Sequence, residues 1–165
     1  EIWSQTAGNI DGFTCAVGTG GTLAGVSIGL KEKNKNIHIA LSDPMGSSLY
    51  SYIKSKKLES TGNSITEGIG TGRITKNFEK AIVDDAFQTD DVEALKIVYN
   101  LIEDQNIILG GSSGINIAGA VKLAKKLGKG KTIVTVLCDD GRRYASKIFN
   151  KKFLKDKNLP VPSWL

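Results

Sequence analysis

An apolar run, Phe13-Thr14-Cys15-Ala16-Val17, leads directly into Gly18-Thr19-Gly20-Gly21-Thr22, and a helix-like segment follows from Thr22 to Lys33. Few architectures accept this order. Glycines let backbone N–H groups turn to one side with no Cβ in the way. The first N–H groups of a helix have no internal partner and sit at the positive end of its dipole. Strand, glycine turn and helix start together predict a socket for a phosphate, with the Thr19 and Thr22 hydroxyls as extra donors. Neither common phosphate loop fits. In G-x-G-x-x-G, Gly18 and Gly20 match, but Leu23 stands where the third glycine belongs. The triphosphate loop needs Gly-Lys-Ser/Thr, and no lysine occurs before Lys31. The competing reading is a tight strand-to-helix turn without a ligand.

The rest of the chain repeats the alternation. Strands are predicted over 12–17 and 37–42, within 81–88, and over 131–138, where Thr132 to Leu137 reads as a strand buried on both faces. Helices are predicted over 22–33 and 48–53, from Asp90 to Gln105, from Gly110 onward, and from Asp139 to about Phe149. Ile117, Ala118, Val121 and Ala124 form the expected buried stripe of the helix after Gly110, and the tail to Leu165 reads as irregular. This order predicts an α/β fold with a mostly parallel sheet flanked by helices. Three glycine-rich segments, 18–22, 110–114 and 139–141, fall at strand ends or helix starts, where ligands collect in open α/β sheets. Gly68, Gly70 and Gly72 alternate in a further segment that predicts close backbone packing or a moving loop.

Composition narrows the classes. A chain of 165 residues, 40% hydrophobic, suits a single domain with its own core. The net charge of +5 sits in lysine runs at 54–57, 125–131 and 151–157 with few aromatics, a solvated surface and not a nucleic-acid groove. Cys15 and Cys138 lie in apolar runs without a C-x-x-C partner, so both are expected to be buried reduced thiols, as in a cytoplasmic protein. His38, the only histidine, reads as structural, and no metal site is expected. No apolar run is long enough for a membrane span and no signal peptide is visible. The start at Glu1-Ile2-Trp3, without methionine, reads as the later part of a longer chain or a processed piece.

Four motifs occur in order: Gly18-Thr19-Gly20-Gly21-Thr22, Glu67-Gly68-Ile69-Gly70, Gly111-Ser112-Ser113-Gly114 and Asp140-Gly141-Arg142-Arg143-Tyr144. Together with Ile2-Trp3, Asp11-Gly12-Phe13 and Asp43-Pro44, they make nearly the whole chain resemble the carboxyl-terminal half of the cysteine synthases (O-acetylserine sulfhydrylases). These are pyridoxal-phosphate enzymes of the tryptophan-synthase-β-like fold, fold type II. The resemblance implies pyridoxal 5′-phosphate as cofactor. It implies that Gly18, Thr19, Gly20, Gly21 and Thr22 hold the 5′-phosphate and that Ser112 hydrogen-bonds the pyridine nitrogen. A serine hydroxyl can donate to a neutral ring nitrogen, whereas an aspartate would keep it protonated and make the ring a stronger electron sink. The competing role for Ser112 is a helix cap. Gly68, Ile69 and Gly70 would border the substrate, and Asp140 to Tyr144 would support the ring and the serine.

The reaction so implied is β-replacement, in which O-acetylserine loses acetate and sulfide adds to give cysteine. The lysine that bonds the cofactor and the Ser/Thr-Gly-Asn loop that holds the substrate carboxylate belong to the amino-terminal half of the family. Neither is matched here, so no catalytic residue is assigned and the chain alone is expected to be inactive. A homodimer of the intact enzyme and serine acetyltransferase as a partner are further implications. The alternatives are a cystathionine β-synthase-like enzyme and a non-catalytic truncated binding module. A nucleotide-binding domain stays open only through Asp43, which has the spacing of a ribose-binding acid.

Overall fold

The computed structural model describes residues 1–165. Four parallel strands, β1 (Gly12–Cys15), β2 (His38–Pro44), β3 (Asp85–Thr89) and β4 (Ile133–Thr135), form one sheet in the order β3-β2-β1-β4. The helices are α1 (Ile2–Gln5), α2 (Gly21–Lys33), α3 (Leu49–Ser55), α4 (Asp91–Gln105), α5 (Gly111–Leu127) and α6 (Lys151–Asp156). Short 3-10 turns cover Phe78–Lys80 and Gly141–Tyr144. The chain builds outward from β1 through β2 to β3, then returns to place β4 on the other side of β1. The strand order therefore reverses at β1, and the crevice beyond the carboxyl ends of β1 and β4 is the place where such sheets bind ligands.

The sheet has two unlike faces. On one, Phe13, Cys15 and Val17 pack with Ile37, Ile39 and Leu41 against Leu23 and Leu30 of α2 and Leu49 of α3, giving the main core. On the other, Thr14 and Ser42 share a buried 2.8 Å hydroxyl hydrogen bond, and α5 lies across all four strands. Small side chains let the helix come close: a Cβ at Gly119 would overlap Ser42 Oγ and lie 2.7 Å from Ser42 Cβ. A Cβ at Gly114 would collide with the Ala94 carbonyl, so α4 and α5 also meet backbone to backbone. A second cluster, Leu95, Val98, Tyr99, Ile148 and Leu154, joins α4 to the carboxyl-terminal segment.

Several expectations are corrected. The strand expected to be buried on both faces is β4, three residues long, half-exposed and at the sheet edge, with Leu137 beyond it 53% exposed. The strand fully buried over Ile39–Pro44 is β2, because its second face carries small Ala40 and Ser42 beneath α5. The buried stripe of α5 is Ile115, Ala118, Gly119 and Leu123, while Val121 points outward. Cys15 is buried, but Cys138 is exposed, since it lies past the end of the edge strand. No helix runs from Asp139 to Phe149; a single 3-10 turn stands there. The tail is ordered instead: Asn150 caps α6 by accepting from Phe153 N–H, and Leu154 is fully buried. No helix is long and apolar enough to cross a membrane.

Candidate functional site

Beyond Cys15 the chain runs through Gly18–Thr22 into α2. The cup is built by close approach. A Cβ at Gly18 would collide with the Gly68 carbonyl, and Gly20, in the left-handed region at φ 87°, presses on Phe78 with its N at 2.8 Å from the Cβ position. Thr75 Oγ1 donates to the Thr19 carbonyl at 2.7 Å, and Gly70 N–H donates to the Val17 carbonyl at 2.9 Å. The glycine turn and the 68–78 segment are therefore one wall. No side chain caps α2, and the first helical bond runs from Ala24 N–H to the Gly20 carbonyl at 3.0 Å. The N–H groups of Gly21, Thr22 and Leu23 thus have no partner in the helix, while Thr19, Gly21 and Thr22 are exposed. Unpaired amides at a helix start beside two hydroxyls form a donor set suited to a phosphate dianion.

Ser112 lies near the start of α5, buried to 7% exposure. It is not the helix cap, because the cap position is Gly110 and no side chain caps the helix. Ser113 does not cap either, since its Oγ accepts from Cys138 N–H at 2.9 Å. The helix is located by a residue that the motifs do not single out. Asn116, one turn after Ser112 on the same face, accepts from Ala16 N–H at 2.7 Å and donates to the Val136 carbonyl at 2.8 Å. It ties α5 to the ends of β1 and β4, so the helix start that carries Ser112 lies at the same end of the sheet as the glycine cup. Its only sequence signal is an amide among otherwise small or apolar residues on the buried face of the helix.

The 139–144 segment packs on the start of α5. Gly110 N–H donates to the Asp139 carbonyl at 3.0 Å, and a Cβ at Gly110 would lie 2.6 Å from the Tyr144 ring. Tyr144 O–H donates to Asp139 at 2.7 Å, and this bond raises the phenol pKa. Asp140 pairs with the Arg142 guanidinium and also accepts from Arg142 N–H, contacts that lower its carboxyl pKa to about 2. These groups brace the helix start that carries Ser112.

The 64–71 segment is pinned from several sides. Asp91, the first residue of α4, accepts from Ser64 Oγ and, at 2.8 Å, from Ile65 N–H. Glu67 pairs with Lys147, and Ser47 Oγ accepts from Thr71 N–H at 3.1 Å. Gly68, Ile69 and Gly70 therefore sit against the cup, with both glycines at positive φ. Asp43 is not available to a ribose: it is fully buried, and one carboxylate oxygen accepts from Tyr50 N–H at 2.8 Å. Burial pushes its pKa up to about 6, against the pull of the Ser47 hydroxyl and the Tyr50 N–H.

An α/β sheet with a phosphate-suited cup at its switch point matches a defined class. The family model described as "Pyridoxal-phosphate dependent enzyme" matches residues 1–139, and the chain belongs to this family. Among its relatives are a cysteine synthase of Dictyostelium discoideum, 47% identical over 98% of this chain and 45% of that protein, and cysteine synthase 1 of Neurospora crassa, 47% identical over 96% and 44%. A solved structure, the O-acetylserine dependent cystathionine beta-synthase of Helicobacter pylori, superposes with a TM-score of 0.79 at 30% identity, covering 88% of this chain and 45% of that one. The chain spans about half the length of the curated relatives it matches.

Proposed function

We propose that this chain is the cofactor-phosphate-binding domain of a cysteine synthase, which makes L-cysteine from O-acetyl-L-serine and sulfide. The observation that supports the reading is the placement at one end of the sheet of the uncapped start of α2 beyond β1 and of the start of α5, with Ser112, tied to the ends of β1 and β4 through Asn116. The donor set and the glycine wall fit pyridoxal 5′-phosphate. When bound, that cofactor supplies an electron sink for breaking bonds at the amino-acid α-carbon. Gly18, Thr19, Gly20, Gly21 and Thr22 hold the phosphate through N–H groups and hydroxyls. Ser112 donates its hydroxyl proton to the ring nitrogen and holds it as a hydrogen bond without transferring it. Gly68, Ile69 and Gly70 shield the substrate side from water. With the reading go residues 1–165 as one binding domain, a homodimeric and cytoplasmic enzyme, and serine acetyltransferase as a partner. Their support is the family likeness, which also assigns the cofactor-bonding lysine to the amino-terminal half of the family.

A cystathionine β-synthase-like acceptor preference is the second reading, favoured by the name of the solved neighbour. The test supplies the full-length protein containing this segment with O-acetylserine and either sulfide or homocysteine. Cysteine formation supports the first reading, cystathionine formation the second, and neither product refutes both. Thr22→Ala in that protein should weaken cofactor retention roughly 10-fold or more, as expected for losing a hydrogen bond to a charged group. Unchanged retention would count against the phosphate cup.

A further inference from the structure

Asn116 lies at the carboxyl ends of β1 and β4 and touches both strands' continuations at once. It is 1% exposed, and its side chain reaches two parts of the chain: Ala16 N–H at 2.7 Å on one, and the Val136 carbonyl at 2.8 Å and Cys138 Sγ at 3.4 Å on the other. The paired ladder between β1 and β4 ends at Thr14 and Thr135. Ala16 and Val136 therefore stand just past the last rung, where the two strands leave each other for the glycine cup and for Asp139. The planar amide of Asn116 fills that gap with one acceptor and one donor, as a peptide group would. Ser112 stands one turn earlier on the same helix face, about 6 Å along the axis.

We propose that Asn116 is a positioning residue that sets the separation between the glycine cup and the Ser112 hydroxyl, so that one ligand bearing a phosphate and a ring nitrogen meets both. The proposal rests on the cofactor reading given above. The chemistry requires an amide. Aspartate keeps the acceptor for Ala16 N–H but sets a second oxygen against the Val136 carbonyl. Leucine fills the volume but leaves both backbone groups unpaired. Either change lets the ends of β1 and β4 drift, and the two halves of the site lose their register while each remains intact.

The test uses the full-length protein containing this segment, freed of its cofactor, with two probes, inorganic phosphate and pyridoxine 5′-phosphate. The second carries an alcohol in place of the aldehyde and forms no adducts with surface lysines, and its emission reports the ring environment. Wild type should bind pyridoxine 5′-phosphate more tightly than inorganic phosphate. Asn116→Asp should leave phosphate binding within about twofold, cut the advantage of the ring-bearing probe by roughly fivefold, and return its emission toward that of free probe. Ser112→Ala should do the same, and the double variant should lose no more than either single one. Amide spectra identify folded variants; Asn116→Leu is the second variant, and Asn116→Asp carries the test if leucine does not fold. A folded variant whose Ala16 amide exchanges faster but whose ring advantage and emission are unchanged would make Asn116 a structural residue only and overturn the proposal. If wild type shows no ring advantage, the cofactor reading fails, and this proposal falls with it.

Discussion

Asp43 shows how one buried group ties stability to pH. Its carboxyl has no exposure, and one oxygen lacks any partner. The pKa is raised in the folded chain to about 6, above an unfolded value near 3.8. The unfolded state therefore releases its proton first as pH rises, and the folded state is progressively penalised between about pH 4 and pH 6. Above that window the cost is on the order of 3 kcal/mol, from roughly two pKa units at 1.36 kcal/mol each. Asp43→Asn should leave the unfolding midpoint nearly unchanged at pH 4 and raise it at pH 8, as thermal melts at the two pH values would reveal. A lower midpoint at both would mean that the charged form is stabilised by something other than the Tyr50 N–H. Asp43 and Asn116 are also the residues least legible in the sequence. The acid has the spacing of a ribose ligand, and only its burial removes it from that role. The amide is one of several polar residues in a long helix, with partners 100 and 20 positions away. By contrast the glycine cup is local, and its backbone logic can be read directly from consecutive residues.

At the scale of elements, hydrophobic pattern located every strand but misjudged which ones are central. The run Thr132 to Leu137 is continuously apolar or β-branched, yet it contributes a three-residue edge strand. The run Ile37 to Leu41 alternates, yet β2 is covered on both faces. What decides is the partner: α5 has a glycine where it crosses β2, and no local pattern records that a helix 77 positions later fits over Ser42. Gly119→Ala should therefore destabilise the fold by about 1–3 kcal/mol, the range for overpacking a tight core. Ser42→Ala should fail to rescue it, because Ser42 Cβ already lies 2.7 Å from the new methyl position, whereas Ser42→Gly should rescue part of the loss. Denaturant melts of the single variant and the two double variants decide this, and a Gly119→Ala chain as stable as wild type would show that α5 can lift from the sheet. Asp85 staples the same layer from its edge. Burial raises its pKa, but Lys126 and Lys54 more than offset this and hold it at about 2.

The whole molecule has two cores of unequal size joined by α4 and α5. The smaller depends on the carboxyl-terminal segment, which the two prolines in the tail made look irregular. Tyr99 O–H donates to the Ile148 carbonyl at 2.7 Å, and Trp164 meets Tyr99 edge-on at 5.8 Å while its indole N–H donates to Glu103 at 2.8 Å. Leu154→Ala should cost about 2–5 kcal/mol, the range for emptying a filled site. Trp164 emission should shift red at a lower denaturant concentration than in wild type. If that shift precedes the loss of helical signal, the smaller core opens before the sheet; a single coincident transition would make the two cores one cooperative unit. The contact between Gly18 and the Gly68 carbonyl has a consequence for anyone recombining this chain with its relatives. The turn after β1 and the segment that crosses it fit as a mortise fits its tenon, so a graft that exchanges 17–22 without 66–78 would break the joint, and the two must travel together.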